Sequence, residues 1–203
     1  MKFEIAPGSW PQLKKQFATM QLARRLSNAD TYYDTKEFDL LRQAVFVRVR
    51  NHRHLEFKFN ERAAPAHIHS TERAFSLMPE PQQAAEMNAL FSRFLPRWRS
   101  ANTVEEVLHQ NGLIELARIE NQRVQYTYDD LLVCVDQVEG LGDFVEIEAQ
   151  CEEGSDTSQV QALEAQVQCF AAGFAARQVR IGYVELWLQK HHPQAYQVGK
   201  YHE

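Results

Sequence analysis

Residues 44–60 read AVFVRVRNHRHLEFKFN. Val45, Val47 and Val49 alternate with Arg48 and Arg50, and Leu55, Phe57 and Phe59 alternate with Glu56, Lys58 and Asn60. Successive side chains of a strand point to opposite faces, so each run has one apolar and one charged face. The short polar link Asn51 to His54 joins them as neighbouring strands. The alternation returns further on. Arg123 follows Ile119 and Asn121, and Glu146 and Glu148 sit on either side of Ile147, next to Val145. Two of these runs are cationic and one is a carboxylate pair. That combination suits a closed sheet with a polar interior that holds a polyanion and its metal ions. A solvated sheet face with Glu56 as an internal salt-bridge partner is the plainer alternative.

Outward from this hairpin, Lys2 to Ala6 reads as a strand closed by Pro7-Gly8. Ser9 offers an N-cap to a helix with Pro11 in its first turn, running to about Leu26. Thr31 to Thr35 reads as strand, Lys36 to Asp39 as turn, and His67 to Leu77 as another strand. Helical patterns cover Gln82 to Leu95 and Thr103 to Gln110, the second with Thr103 as cap and Glu106 three residues on. Leu113 to Tyr128, Leu131 to Glu139 and Phe144 to Glu152 read as three strands. A helix capped by Ser155 or Ser158 repeats Val160, Leu163, Val167, Phe170 and Phe174, and an amphipathic segment Tyr183 to Gln189 precedes a Pro193 tail. Strands, helices, strands and helix with short connections make an α+β chain with a mainly antiparallel sheet.

The 203 residues suffice for one large domain or two small ones, with 44% hydrophobic and 24% charged residues and a net charge of −5. Nothing in that balance favours bulk nucleic-acid binding, so a polyanion site has to be local. Cys134, Cys151 and Cys169 are odd in number without CxxC spacing, which fits a reducing compartment better than a disulfide framework. No apolar run reaches the roughly 18 residues of a membrane span. The start, MKFEIAPGSW, lacks the apolar region of a secretory signal. The expectation is a cytoplasmic protein without membrane or nucleic-acid partners, of open oligomeric state.

Arg48 and Arg50 share a strand face, and Lys58 has the same parity on the partner strand. Their mutual repulsion would be relieved by a phosphate chain, whose oxygens guanidinium forks bind bidentately. Glu146 and Glu148 share a face that Asp136, on the preceding strand, can join; hard carboxylate oxygens suit Mg²⁺ or Mn²⁺. The pairs His52-x-His54 and His67-x-His69 lie at strand ends or loops and read as exposed, non-ligating residues. Zinc-finger spacing is absent, and no GxSxG nucleophile elbow occurs.

Several of these stretches resemble the CYTH superfamily of triphosphate tunnel enzymes, which includes class IV adenylyl cyclases, thiamine triphosphatases and inorganic triphosphatases. Thr31 to Thr35, TYYDT, resembles its YYDT segment; Leu40 to Arg50, LLRQAVFVRVR, resembles the following LR-x-R strand; Leu55 to Lys58 resembles a strand with an inward lysine. Val135 to Glu148, VDQVEGLGDFVEIE, resembles its long hairpin and is the most specific match. Ile181 to Leu188 resembles the terminal SYxELL segment, with Gly182 in place of Ser. The N-terminal KF…APG and the C-terminal WLQKHHPQAYQ resemble the thiamine-triphosphatase branch.

The resemblance implies one domain over residues 1–203, an eight-stranded antiparallel β-barrel forming a tunnel with a polar interior and helices packed outside. It implies phosphate-binding roles for Lys2, Arg48, Arg50, Lys58, Arg123 and Arg180. It implies metal ligation by Glu146 and Glu148, supported by Asp136 and Glu72, with Lys58, Glu146 and Glu148 serving catalysis. The implied activity is Mg²⁺- or Mn²⁺-dependent hydrolysis of a triphosphate-containing small molecule: inorganic triphosphate, thiamine triphosphate or a similar compound. Cyclisation of ATP to cyclic AMP and non-catalytic polyphosphate or nucleotide binding are the alternatives. Three departures stand out. Lys2 takes the place of the last residue of the family's ExExK strand, so that the glutamates would fall before Met1. Asn121 stands where many members have Lys, and Ala74 where a second carboxylate often follows Glu72.

Overall fold

In the computed structural model of the chain, residues 1–60, 70–128, 131–149, 165–173 and 175–199 are described. Among the described residues, nine strands form one sheet: β1 (Lys2–Ile5), β2 (Gln21–Asp34), β3 (Phe46–Arg50), β4 (His54–Asn60), β5 (Ser70–Ser76), β6 (Ile114–Tyr128), β7 (Leu131–Val138), β8 (Gly142–Ala149) and β9 (Ala175–Val179). Their order is β5-β4-β3-β2-β6-β7-β8-β1-β9, and the paired registers are antiparallel. The α+β class and antiparallel pairing agree with the sequence reading. Among the described residues the sheet has nine strands rather than the expected eight, in an order that starts at β5 and finishes at β9.

The chain divides into two compact units, residues 1–27 with 120–180, and residues 28–119 with 181–203. In the second unit, Val45, Val47, Val49, Leu55, Phe57 and Phe59 bury one face of β3 and β4 against Met87, Phe91, Val104 and Val107. The last four belong to α2 (Pro81–Phe94) and α3 (Val104–Gln110). Phe57 packs edge-on to Phe91 and to Phe75, with centroids 4.4 and 6.1 Å apart. Thr103 and Glu106 close a capping box at the start of α3, satisfying backbone donors the first turn leaves free. In the first unit, Phe3, Ile5, Val133, Val135, Val145 and Ile147 bury the other core against Leu13 and Phe17 of α1 (Trp10–Phe17) and against Val167 and Ala171. In both units the alternation sends hydrocarbon to one face and charge to the other.

Three expectations need correction. Helix α1 ends at Phe17 instead of about Leu26, and residues from Gln21 onward are strand. The run Leu22 to Leu26 is a good helix former in isolation, but it is held laterally: Arg24 donates to Gln125, and Gln122 donates to Ser27 Oγ at 2.9 Å. Tertiary pairing overrides local propensity here. Ser9 is placed as the N-cap, yet its side chain makes no capping hydrogen bond. The third correction is β9, which the reading left unassigned between a helix and the terminal segment; it forms by pairing with β1, Lys2 opposite Val179 and Glu4 opposite Arg177. The expected Ser155 or Ser158 cap and His67 to His69 lie outside the described residues.

The Val135–Glu148 stretch is the expected hairpin, β7 and β8 paired from Val138↔Gly142 to Leu131↔Ala149. Gly140 and Gly142 have φ of 72° and 119°, backbone that β-carbon sterics disfavour in other residues. Where the resemblance expects Ser, Gly182 precedes the helix Tyr183–His191. Its N–H donates to Glu185, whose Oε2 would lie 2.7 Å from a β-carbon at position 182.

Candidate functional site

The charged faces of the two units each gather cations around a buried aspartate. In the second unit, register places Asp30 opposite Arg50, Tyr32 opposite Arg48, and Arg48 opposite Glu56. Arg50 donates from Nε and Nη2 to the two oxygens of Asp30, both at 2.8 Å. Arg48 reaches the same aspartate from Nη1 at 3.1 Å, donates to Tyr32 Oη at 3.1 Å, and holds Glu56 through Nε at 2.8 Å and Nη2 at 2.7 Å. Its guanidinium also lies 5.9 Å from the Tyr32 ring centroid. Burial works against the charge of Arg48, but Tyr32, Asp30 and Glu56 outweigh it and hold the guanidinium above its ordinary pKa. The same burial pushes the Tyr32 phenol upward.

Lys58 is not part of this cluster. It pairs with Glu72 of β5 at 3.2 Å, directly across the ladder, and both side chains are more than half exposed. The expected metal-supporting role of Glu72 and the phosphate role of Lys58 therefore fall on a solvated ion pair.

In the first unit, Arg123 donates from Nε to Asp136 Oδ1 at 2.7 Å and from Nη2 to Asp136 Oδ2 at 2.6 Å, and Nη2 also donates to Glu146. Lys2, opposite Glu146 in register, reaches that carboxylate at 3.2 Å. Asn121 donates to Asp136 Oδ1 at 3.2 Å, while its own Oδ1 is buried without a hydrogen-bond partner. Burial opposes ionisation of Glu146, but Lys2 and Arg123 prevail and keep its carboxyl below the usual range. Glu148 is exposed. Arg180 is likewise exposed. Glu4 pairs with Arg177 across β1 and β9 at 2.5 Å.

Sequence reading missed Asp30, the acceptor shared by both arginines, and Tyr32 as the third partner of Arg48. The signal was available: both have one parity in Asn28 to Asp34, and that stretch precedes the arginine strand as its antiparallel neighbour. His52 and His54 are exposed, as expected.

No group of three His, Cys, Asp or Glu side chains able to hold a metal occurs among the described residues. The donors nevertheless suit Mg²⁺ or Mn²⁺, which commonly take only one or two protein carboxylates and complete their shell with water and substrate phosphate. Glu146 and Glu148 are such a pair, on one face of β8, and the orphaned Asn121 oxygen is a further hard acceptor.

The sequence profile of the CYTH domain matches residues 2–173. No curated protein matches the sequence significantly. Among solved structures, the PH1819 protein of Pyrococcus horikoshii OT3 is similar with a TM-score of 0.63 and 19% identity, over 94% of this chain and 97% of that one. HpAC1 from Hippeastrum, described as a candidate adenylyl cyclase with a dominant triphosphatase activity, has a TM-score of 0.57 and 17% identity, over 94% of each chain. A candidate adenylate cyclase from Bacillus halodurans has a TM-score of 0.53 and 16% identity, over 95% of each. At these identities the likeness establishes a shared fold. No described helix is long and apolar enough to cross a membrane.

Proposed function

The chain belongs to the CYTH domain family, and on that premise we propose that residues 1–203 act as a single CYTH-like domain that binds and hydrolyses a triphosphate. The observation that carries this reading is the arginine pair. Arg48 and Arg50 are gathered on one strand face, 20% and 30% exposed, and fixed by Asp30. Guanidinium groups already held on one face in this way bring N–H donors to a phosphate chain and spare part of the ordering cost on binding.

Each charged cluster has a distinct role in this proposal. Arg48 and Arg50 hold phosphate oxygens and offset charge that builds on the leaving diphosphate. In the first unit, Lys2 and Arg123 present donors of their own, and Asp136 keeps Arg123 oriented. Lys58 and Arg180, both solvated, contribute long-range attraction for the polyanion. Glu146 and Glu148 would hold Mg²⁺ or Mn²⁺. Bound there, the ion would neutralise phosphate charge and polarise a water. Positioning and charge stabilisation suffice for phosphoryl transfer, so no covalent nucleophile is needed.

Incubation with inorganic triphosphate, thiamine triphosphate and ATP, with and without Mg²⁺ or Mn²⁺, tests the reading. Metal-dependent phosphate release is expected, with Arg48→Ala raising KM and Glu146→Gln with Glu148→Gln abolishing turnover. Unchanged hydrolysis in that double variant would refute the assignment. Cyclic AMP from ATP would establish the cyclase alternative, towards which the names of the Hippeastrum and Bacillus halodurans neighbours point. A second reading, binding without turnover, is favoured by the pairing of Glu146 with Lys2 and Arg123. Thermal stabilisation by triphosphate without metal, combined with no product, would establish it.

A further inference from the structure

The two carboxylates that hold the arginine pair are not equivalent. The Asp30 side chain is 8% exposed and uses both oxygens, taking Arg50 through two hydrogen bonds and Arg48 through one. The Glu56 side chain is 21% exposed and presents one oxygen, Oε2. That oxygen lies 2.8 Å from Arg48 Nε, 2.7 Å from Arg48 Nη2 and 3.6 Å from Arg50 Nη1. An oxyanion against the fork of one guanidinium and close to a second is the arrangement in which a phosphate oxygen would sit. We propose that Glu56 is an internal stand-in for phosphate: it fills the fork of Arg48 beside Arg50 and is displaced when a phosphate chain binds.

The division follows from exposure and geometry. Asp30 lies at the inner side of the network and is tied by two parallel bonds, so releasing it would strand a buried charge. Glu56 lies nearer water and can be rehydrated when it leaves, which makes its exchange the cheaper one. An anion of one charge replaces one carboxylate with another and gains little. A phosphate chain brings several oxyanions to the same donors. Glu56 therefore sets a charge threshold for entry, and Asp30, which stays in place, is a positioning residue for both arginines.

This inference rests on the phosphate-binding reading of Arg48 and Arg50, and the experiment separates the two. Inorganic tripolyphosphate is titrated calorimetrically into the wild type and the variants Glu56→Gln, Glu56→Ala, Asp30→Asn and Arg48→Ala, in EDTA so that no metal contributes. Both Glu56 variants are expected to bind about tenfold tighter, equivalent to about 1.4 kcal/mol. Asp30→Asn is expected to bind no tighter than wild type, although it removes the same charge. Equal or weaker binding by both Glu56 variants overturns the stand-in role. Tightening by Asp30→Asn as large as that by Glu56→Gln overturns the division between the two carboxylates, leaving only a generic charge effect. Arg48→Ala with undiminished affinity overturns the phosphate site itself. A merely structural Glu56 would not yield tighter binding on removal.

Discussion

Arg123 grips Asp136 through two parallel hydrogen bonds, 2.7 and 2.6 Å long, across the β6–β7 ladder, and the aspartate has no solvent exposure. A fork-to-fork pair of this kind fixes the guanidinium while it also reaches Glu146. Removing one partner leaves an unmatched charge in the interior. Asp136→Asn is expected to cost about 3–5 kcal/mol, and the double change Arg123→Met with Asp136→Leu to cost less, because the buried aspartate charge goes with its partner and Glu146 keeps Lys2. Urea denaturation of the single and double variants measures both; equal losses would show that the pair contributes by packing alone.

Glu146 carries a sign that acid titration can read. Its folded pKa lies below the ordinary glutamate value, because Lys2 and Arg123 outweigh burial. A group with a depressed folded pKa contributes stability above its unfolded pKa, about 4.3, and that contribution disappears as pH falls through the folded pKa. Glu146→Gln is therefore expected to be less stable than wild type at pH 6 to 7, with the difference closing on acidification below about pH 4. A difference independent of pH would remove the ion pairs as its cause.

Cys134 and Cys169 differ in environment. Burial pushes the Cys134 thiol up to about 11, only partly offset by Arg123, while Cys169 is exposed. Thiolate is the reactive form. Iodoacetamide at pH 8, followed by peptide mass spectrometry, is expected to label Cys169 in the native protein, and Cys134 only after unfolding. Native labelling of Cys134 at a similar rate would contradict the burial.

Phe57 is fully buried between Phe75 and Phe91. Phe57→Ala is expected to destabilise by about 3–5 kcal/mol through lost transfer energy and the cavity left behind. Lys58→Ala, one residue on but exposed, is expected to shift stability by less than about 1 kcal/mol. Thermal or chemical melts of the two variants check the contrast between the faces of β4.

Much of the fold was readable where the code is local. The alternation in β3, β4 and β8, the Gly-containing turn of the β7–β8 hairpin, and Thr103 with Glu106 at the start of α3 each act within a few residues. The candidate site was readable only as residue types on faces. Arg48, Arg50, Arg123 and Glu146 could be assigned to polar strand faces from parity, with Glu56 and Asp136 beside them, whereas Asp30 and Tyr32 as partners of Arg48 and Arg50 were missed.

By itself, then, the sequence determined which side chains are hydrocarbon-facing and which are charged on each strand, because the two-residue period of a strand is a local property. Tertiary structure alone decided the rest. It made strand of Leu22 to Leu26 despite its helical preference, added β9 to the edge of β1, set Lys58 against Glu72, and brought Asp30 to Arg48 and Arg50. Those outcomes depend on which strand lies beside which and in what register. Register is fixed by burying one whole face at once, and no short stretch of sequence encodes it.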